Sequence, residues 1–157
     1  MITKLLLAAS LTFASLGSIG AYYVPDDLED LVAEVKKSRE ETDLQVLDDI
    51  ADLKTRAAAQ ALIELYTIQG SLYMRIEIIK RLQEFDDVGD ASQLALQMLA
   101  DAATDSEDYE VREAALDALD NCPELGKNFL EFIVGSAAED DVREKAMDLH
   151  VKRKIAD

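Results

Sequence analysis

Basic residues are scarce in this chain: 16 lysines and arginines face 33 aspartates and glutamates, for a formal net charge of −17. Binding to a phosphate backbone needs a basic footprint, so this balance argues against a nucleic-acid-binding function. The acidity has two readings. It is a solvated surface that keeps the protein dissolved, or a field that attracts a basic partner or mimics a nucleic acid. Tryptophan is absent and aromatic residues make up only 6% of the chain, so the core must be built from aliphatic side chains. A single cysteine, Cys122, excludes an intramolecular disulfide framework. It falls on the helical face of Val111 and Ala118, where a buried thiol is expected. A single histidine, His150, leaves no His-cluster metal site and no choice of His-based triads. Its neighbours Lys152, Arg153 and Lys154 suggest a residue that ends a helix favourably. No glycine-rich phosphate loop is present. Two prolines and six glycines punctuate 157 residues, which favours long helices over many short strands.

What is there is apolar and periodic. Nearly half the residues are apolar, enough for the core of one domain or a short repeat array. Residues 1–20, MITKLLLAASLTFASLGSIG, carry a positive Lys4, an apolar run from Leu5 to Leu16, and small residues up to Gly20. This is a signal-peptide pattern, with cleavage expected before Ala21 and residues 21–157 forming the exported domain. The alternative is an uncleaved anchor, since Leu5 to Val24 is just long enough to span a bilayer. A periplasmic or secreted location follows from the first reading, with no membrane association after cleavage.

The stretch Tyr109 to Leu119, YEVREAALDAL, puts Val111, Ala114, Ala115, Ala118 and Leu119 on one helical face. Three of the five are alanine, so a second helix can approach closely. Asp108 lies four residues before Arg112, an orientation that suits a helical ion pair. A second copy occurs at Asp141 to Leu149, where Val142, Arg143 and Ala146 align with Val111, Arg112 and Ala115. A more distant copy places Met74, Arg75, Ile78 and Leu82 on the same positions. Further helices are expected from Asp26, with Leu28, Leu31, Val32 and Val35 inward, and from Thr42, whose spacing to Gln45 is that of a capping box. Others run from about Lys54 to Gln69, through Leu94 to Ala102, and through Phe129, Phe132, Ile133 and Ala137.

Grouped in pairs, the helices form units at about 42–69, 71–104 and 108–138, with unpaired helices before and after. Their starts are offset by roughly 30 to 37 residues, the range of helical solenoids. Each unit leaves an apolar face that only a neighbour can cover. On Val111, Arg112, Ala115, Ala118 and Leu119, and on Val142, Arg143 and Ala146, the chain resembles the HEAT-repeat family in its short bacterial form. The resemblance implies an all-α fold, a short right-handed α-solenoid of stacked antiparallel helix pairs. It also implies an inner side lined by the second helix of each pair, a side that often binds proteins. Glu77 and Arg81 stand where the family pattern calls for small apolar residues, and His150 stands where Leu119 has a leucine. These departures predict irregular outer units. Some relatives of this kind are pigment lyases; an exported chain without a catalytic motif does not look like one.

Three groups of polar residues remain. Asp86, Asp87 and Asp90, and then Asp105, Glu107, Asp108 and Glu110, are read as helix caps or solvated turns; a weak divalent-cation site is the alternative, without the calcium loop's glycine and terminal glutamate. Arg75, Arg112 and Arg143 recur at one repeat position and are read as structural, pairing Asp108 with Arg112 and Glu139 with Arg143. The solvent side of the second helices offers Gln60, Glu64, Gln93, Gln97, Lys127 and Glu131 as a partner-binding surface. The function expected is a non-enzymatic protein-interaction module with a protein partner of basic character. No cofactor is expected. The competing reading is a hydrolase or lyase with dispersed carboxylates, which would show a deep pocket where several carboxylates converge.

Overall fold

The computed structural model describes residues 26–37, 44–123 and 125–156. The leader expected at residues 1–20 and the cap expected at Thr42 lie outside the described residues. Among the described residues eight α-helices follow one another: α1 (Asp26–Lys37), α2 (Leu44–Asp52), α3 (Arg56–Ile68), α4 (Leu72–Leu82), α5 (Asp90–Asp105), α6 (Tyr109–Asn121), α7 (Gly126–Ser136) and α8 (Asp140–Ala156). A single 3-10 turn, Gln83–Phe85, extends α4. No strand occurs among the described residues.

The helices stack in two layers. In one, α2, α4, α6 and α8 pack in succession; in the other, α1, α3, α5 and α7 do the same. Consecutive helices close each pair across the layers. This is the α-solenoid, and its core is one continuous seam rather than a central ball. Leu47, Leu62, Ile78, Leu96, Leu116 and Leu119 are all out of contact with water. Burying each aliphatic side chain contributes roughly 1.5–3 kcal/mol before entropy is counted. Alanines fill the gaps: Ala58, Ala95, Ala103 and Ala115 are fully buried, which lets backbones approach closely.

The central helix behaves as its pattern requires. Val111, Ala115, Ala118 and Leu119 are buried, with Leu116 added, while Ala114 sits at the margin. Two other elements differ from expectation. Helix α3 begins at Arg56, not near Lys54, because Thr55 caps it by accepting a 3.1 Å hydrogen bond from the Ala58 amide. Lys54 instead takes a left-handed conformation, φ 44°, just past the end of α2. Its ammonium reaches Glu84 at 2.9 Å and lies 5.2 Å from the Phe85 ring centre. Of the stripe expected at Phe129, Phe132, Ile133 and Ala137, Ile133 and Ala137 are buried and Phe129 packs partly buried against the core. Phe132 alone turns outward, 61% exposed, and Leu130 takes the buried place beside Ile133.

Ion pairs between residues 29 to 34 positions apart tie neighbouring units together. Arg75 pairs with Asp108, Arg112 reaches Asp141 at 3.4 Å, Arg81 reaches Asp48 at 2.8 Å, and Arg153 reaches Asp120 at 2.8 Å. The expected pairing of Asp108 with Arg112 is thus displaced by one unit, and Arg143 pairs with Asp140 rather than Glu139. The reason lies in a second task of these arginines. Arg112 donates to the Ser106 carbonyl at 2.9 Å and Arg143 to the Ala137 carbonyl at 2.9 Å. Ser106 and Ala137 are the residues that end α5 and α7. Each guanidinium closes the preceding helix and has its far nitrogen left to face another carboxylate.

The departures from the repeat pattern do not break the array. Glu77 is 7% exposed and pairs with both Lys80 and Arg81. Burial pushes its carboxyl upward, but hydrogen bonds from Lys80 and Arg81 outweigh this and hold it below the ordinary value. Arg81 bridges from Glu77 to Asp48 on α2, so a buried ionic link replaces the small apolar contact. His150 is also buried, 6% exposed, and the helix continues well past it. It is a core residue of α8, not a helix terminus.

Arg153 makes the densest such contact. Its side chain donates to the carbonyls of Leu119, at 3.0 Å, and Cys122, at 2.9 Å, besides pairing with Asp120. A cation placed on the last carbonyls of α6 satisfies groups that have no partner within that helix.

Candidate functional site

Two grooves open between the helices of the α1–α3–α5–α7 layer. The first, about 590 Å³, lies between α1 and α3. Leu28, Val32, Ala33, Ala57 and Ala61 form its apolar floor, and Glu29, Lys36, Arg56, Gln60 and Glu64 its polar rim. The second, about 280 Å³, lies between α5 and α7 and is lined by Gln93, Gln97, Leu125, Asn128, Phe129 and Phe132. Small alanines explain the first: Ala33, Ala57 and Ala61 leave room where larger side chains would close the seam. The second depends on Phe132, which turns out of the core and onto the groove wall.

Of the residues expected to meet a partner, Gln60 and Glu64 line the first groove and Gln93 and Gln97 the second. Gln97 donates to Asp101 at 2.9 Å along its own helix. Lys127 is half-buried and Glu131 exposed, and neither lines a groove. Spacing along the chain picked out the layer, but α1 and the wall of Asn128, Phe129 and Phe132 were missed. Helix α7 is apolar around most of its circumference, so its sequence marks two stripes and does not choose between them. Asn128, one position from Lys127, was the available signal.

The groove chemistry is modest. Two carboxylates, Glu29 and Glu64, line the first groove, balanced by Lys36 and Arg56, and none lines the second. Arg56 is itself paired with Asp90 at 3.4 Å. In the acidic turns Asp90 pairs with Arg56, and Asp108, which begins α6 without a side-chain cap, gives its carboxylate to Arg75. Among the described residues no group of three His, Cys, Asp or Glu side chains is placed to hold a metal ion. No described helix is long and apolar enough to cross a membrane. Cys122 is 1% exposed, and burial, followed by the charge of Asp86, pushes its thiol up to about 12. It stays a protonated packing residue near neutral pH, as its place on the α6 face suggests.

The comparisons with known proteins bear on the fold. One solved structure aligns with 78% of this chain and 85% of its own, at a TM-score of 0.50 and 18% identity: the complex of CpcE and CpcF of phycocyanin lyase from Nostoc sp. PCC7120. At that identity the likeness is one of fold alone. No curated protein sequence matches the chain. The family profile for HEAT repeats matches residues 15–120. It therefore covers the region before Ser71, where the repeat is carried by periodicity alone, as well as the clear copy at α6. With two helical layers, repeat-spaced arginines and a profile match over most of its length, the chain belongs to the HEAT-repeat family.

Proposed function

We propose that this chain is an exported, non-enzymatic protein-interaction module that receives a basic protein segment on its α3–α5–α7 surface. The carrying observation is the pair of grooves on that layer, with apolar floors and amide-bearing rims. A hydrolase or lyase site of dispersed carboxylates would need several of them to converge, and the grooves supply two and none. The fold neighbour is an assembly of two proteins, which agrees with a solenoid that works by binding another chain. The rim of the first groove is charge-balanced, so attraction to a basic partner must come from the whole −17 surface. Such a field speeds encounter, while the apolar floor holds the complex.

The test begins with a pull-down from the native envelope fraction, using protein whose N-terminus should begin at or near Ala21. Recovery with Met1 intact in the soluble envelope fraction would sink the cleavage claim. The association rate of the captured partner should fall as salt rises, since the Debye length shrinks from about 10 Å at 0.1 M to about 3 Å at 1 M. Glu64→Lys combined with Glu131→Lys should weaken binding while helical circular dichroism stays unchanged, because neither residue is in the core. A partner indifferent to salt and to both reversals would show that another face and another force are at work.

A further inference from the structure

Helix α8 is apolar on two opposite faces. Val142, Ala146 and the buried His150 turn towards α6 and α7. On the other side Met147, Val151 and Ile155, spaced four residues apart, are 47%, 44% and 81% exposed. At that spacing the three lie in one stripe along the helix. Exposed apolar residues scattered singly need no explanation, but three in register on a helix whose opposite face is already packed form a seam.

On the exposed side of α8 the charges change sign along the helix, with Asp140, Asp141, Glu144 and Asp148 before Lys152 and Lys154. The other bases are engaged elsewhere: Arg143 pairs with Asp140, Lys145 with Glu113 and Asp117 of α6, and Arg153 turns inward to α6. Asp148, Lys152 and Lys154 are all exposed beside the stripe. A helix with acid at one end, base at the other and an apolar stripe between is complementary to itself when turned end for end. A two-fold axis at Val151 sets Val151 against its equivalent and Met147 level with Ile155 of the other copy. Asp148 then comes within a turn of Lys152 of that copy, on the same flank of the seam. The helix carries four acids and five bases, so two strongly acidic chains meet on an element that adds no net negative charge.

We propose that α8 is a homodimerisation helix, pairing antiparallel with α8 of a second copy through Met147, Val151 and Ile155. The interface is isologous, so it closes at two copies and leaves no free stripe for further growth. It lies apart from the α3–α5–α7 surface, so a dimer presents two partner-binding surfaces. One helix pair buries less than the roughly 1,200–2,000 Å² of a standard stable interface, which makes this a weak, concentration-dependent dimer.

Sedimentation velocity and light scattering over a graded concentration range should show a reversible monomer–dimer equilibrium for the purified protein. Val151→Glu should raise the dimer dissociation constant by about tenfold or more, with circular dichroism and melting unchanged because the packed face of α8 is untouched. Asp148→Lys alone, and Lys152→Asp alone, should each weaken the dimer; the two together should restore it. Restoration separates antiparallel self-pairing from every other occupant. A protein that stays monomeric throughout would overturn the proposal, as would growth beyond two copies. So would a dimer that ignores Val151→Glu, or is not rescued by the charge exchange. A monomer that instead sediments with anionic phospholipid vesicles through this stripe would assign the face to a lipid surface and equally overturn it.

Discussion

Ala115→Asp should leave the chain unable to hold its array. Ala115 has no exposure at all, and α6 packs against α4, α5, α7 and α8 together. An aspartate there has a methyl-sized space and no partner. Removing an unpaired carboxylate from water costs several kcal/mol even after relaxation, and overpacking adds about 1–3 kcal/mol. A domain of this kind has only about 5–15 kcal/mol in total. Loss of cooperative melting and of most helical circular dichroism is the expected outcome. As a control, Gln97→Ala on the exposed side of α5 should stay within about 0.5 kcal/mol of the parent. A parent-like melt for Ala115→Asp would contradict the stacked seam.

Gly126→Ala should cost less than this, and for a different reason. Gly126 opens α7 directly under the end of α6, and a β-carbon built on it would lie 2.0 Å from the Leu119 carbonyl oxygen. That oxygen belongs to the backbone and is held by the Cys122 amide and by Arg153, so it has little freedom to yield. Either α7 moves away or the end of α6 is pulled apart. Overpacking of this type costs about 1–3 kcal/mol and occasionally more, and each kcal/mol lowers the Tm by roughly 2–4 °C at this size. A fall of several degrees is therefore expected, measured by differential scanning calorimetry. Gly89 offers the contrast. Its φ of 50° suits glycine, yet nothing lies within 4 Å of a β-carbon there, so substitution strains the backbone without a collision. A Gly126→Ala protein that melts with the parent would show that α7 is not pressed against α6.

The helices were legible because their signal is local. Val111, Ala115, Ala118 and Leu119 repeat at helical spacing, and each is buried where that spacing puts it. The arginine row was legible as a row but not in its partners. Asp108 is four residues from Arg112 and thirty-three from Arg75, and nothing local to the sequence says that the distant pair wins. What decides is the loop-closing bond from Arg112 to Ser106, a tertiary requirement that turns the side chain away. His150 was misread for a related reason. The cations after it do mark a helix end, with Arg153 and Lys154 in the last turn of α8, but His150 itself lies more than a turn inside and is buried. Of the groove residues, Gln60, Glu64, Gln93 and Gln97 could be found from repeat spacing. The α1 wall could not, because it exists only where two helices distant in sequence diverge over small side chains.

The clasp of Arg153 on α6 has a bearing on how the array comes apart. In a solenoid, terminal helices ordinarily fray first, since they have a neighbour on one side only. Here the last turn of α6 depends on a residue near the end of α8 for its carbonyl partners. Opening α8 strips that turn of its cation and leaves α7 wedged against an uncapped end. Opening of α8 is therefore expected to loosen α7 and the last turn of α6 with it, while the rest of α6 stays packed on α4 and α5.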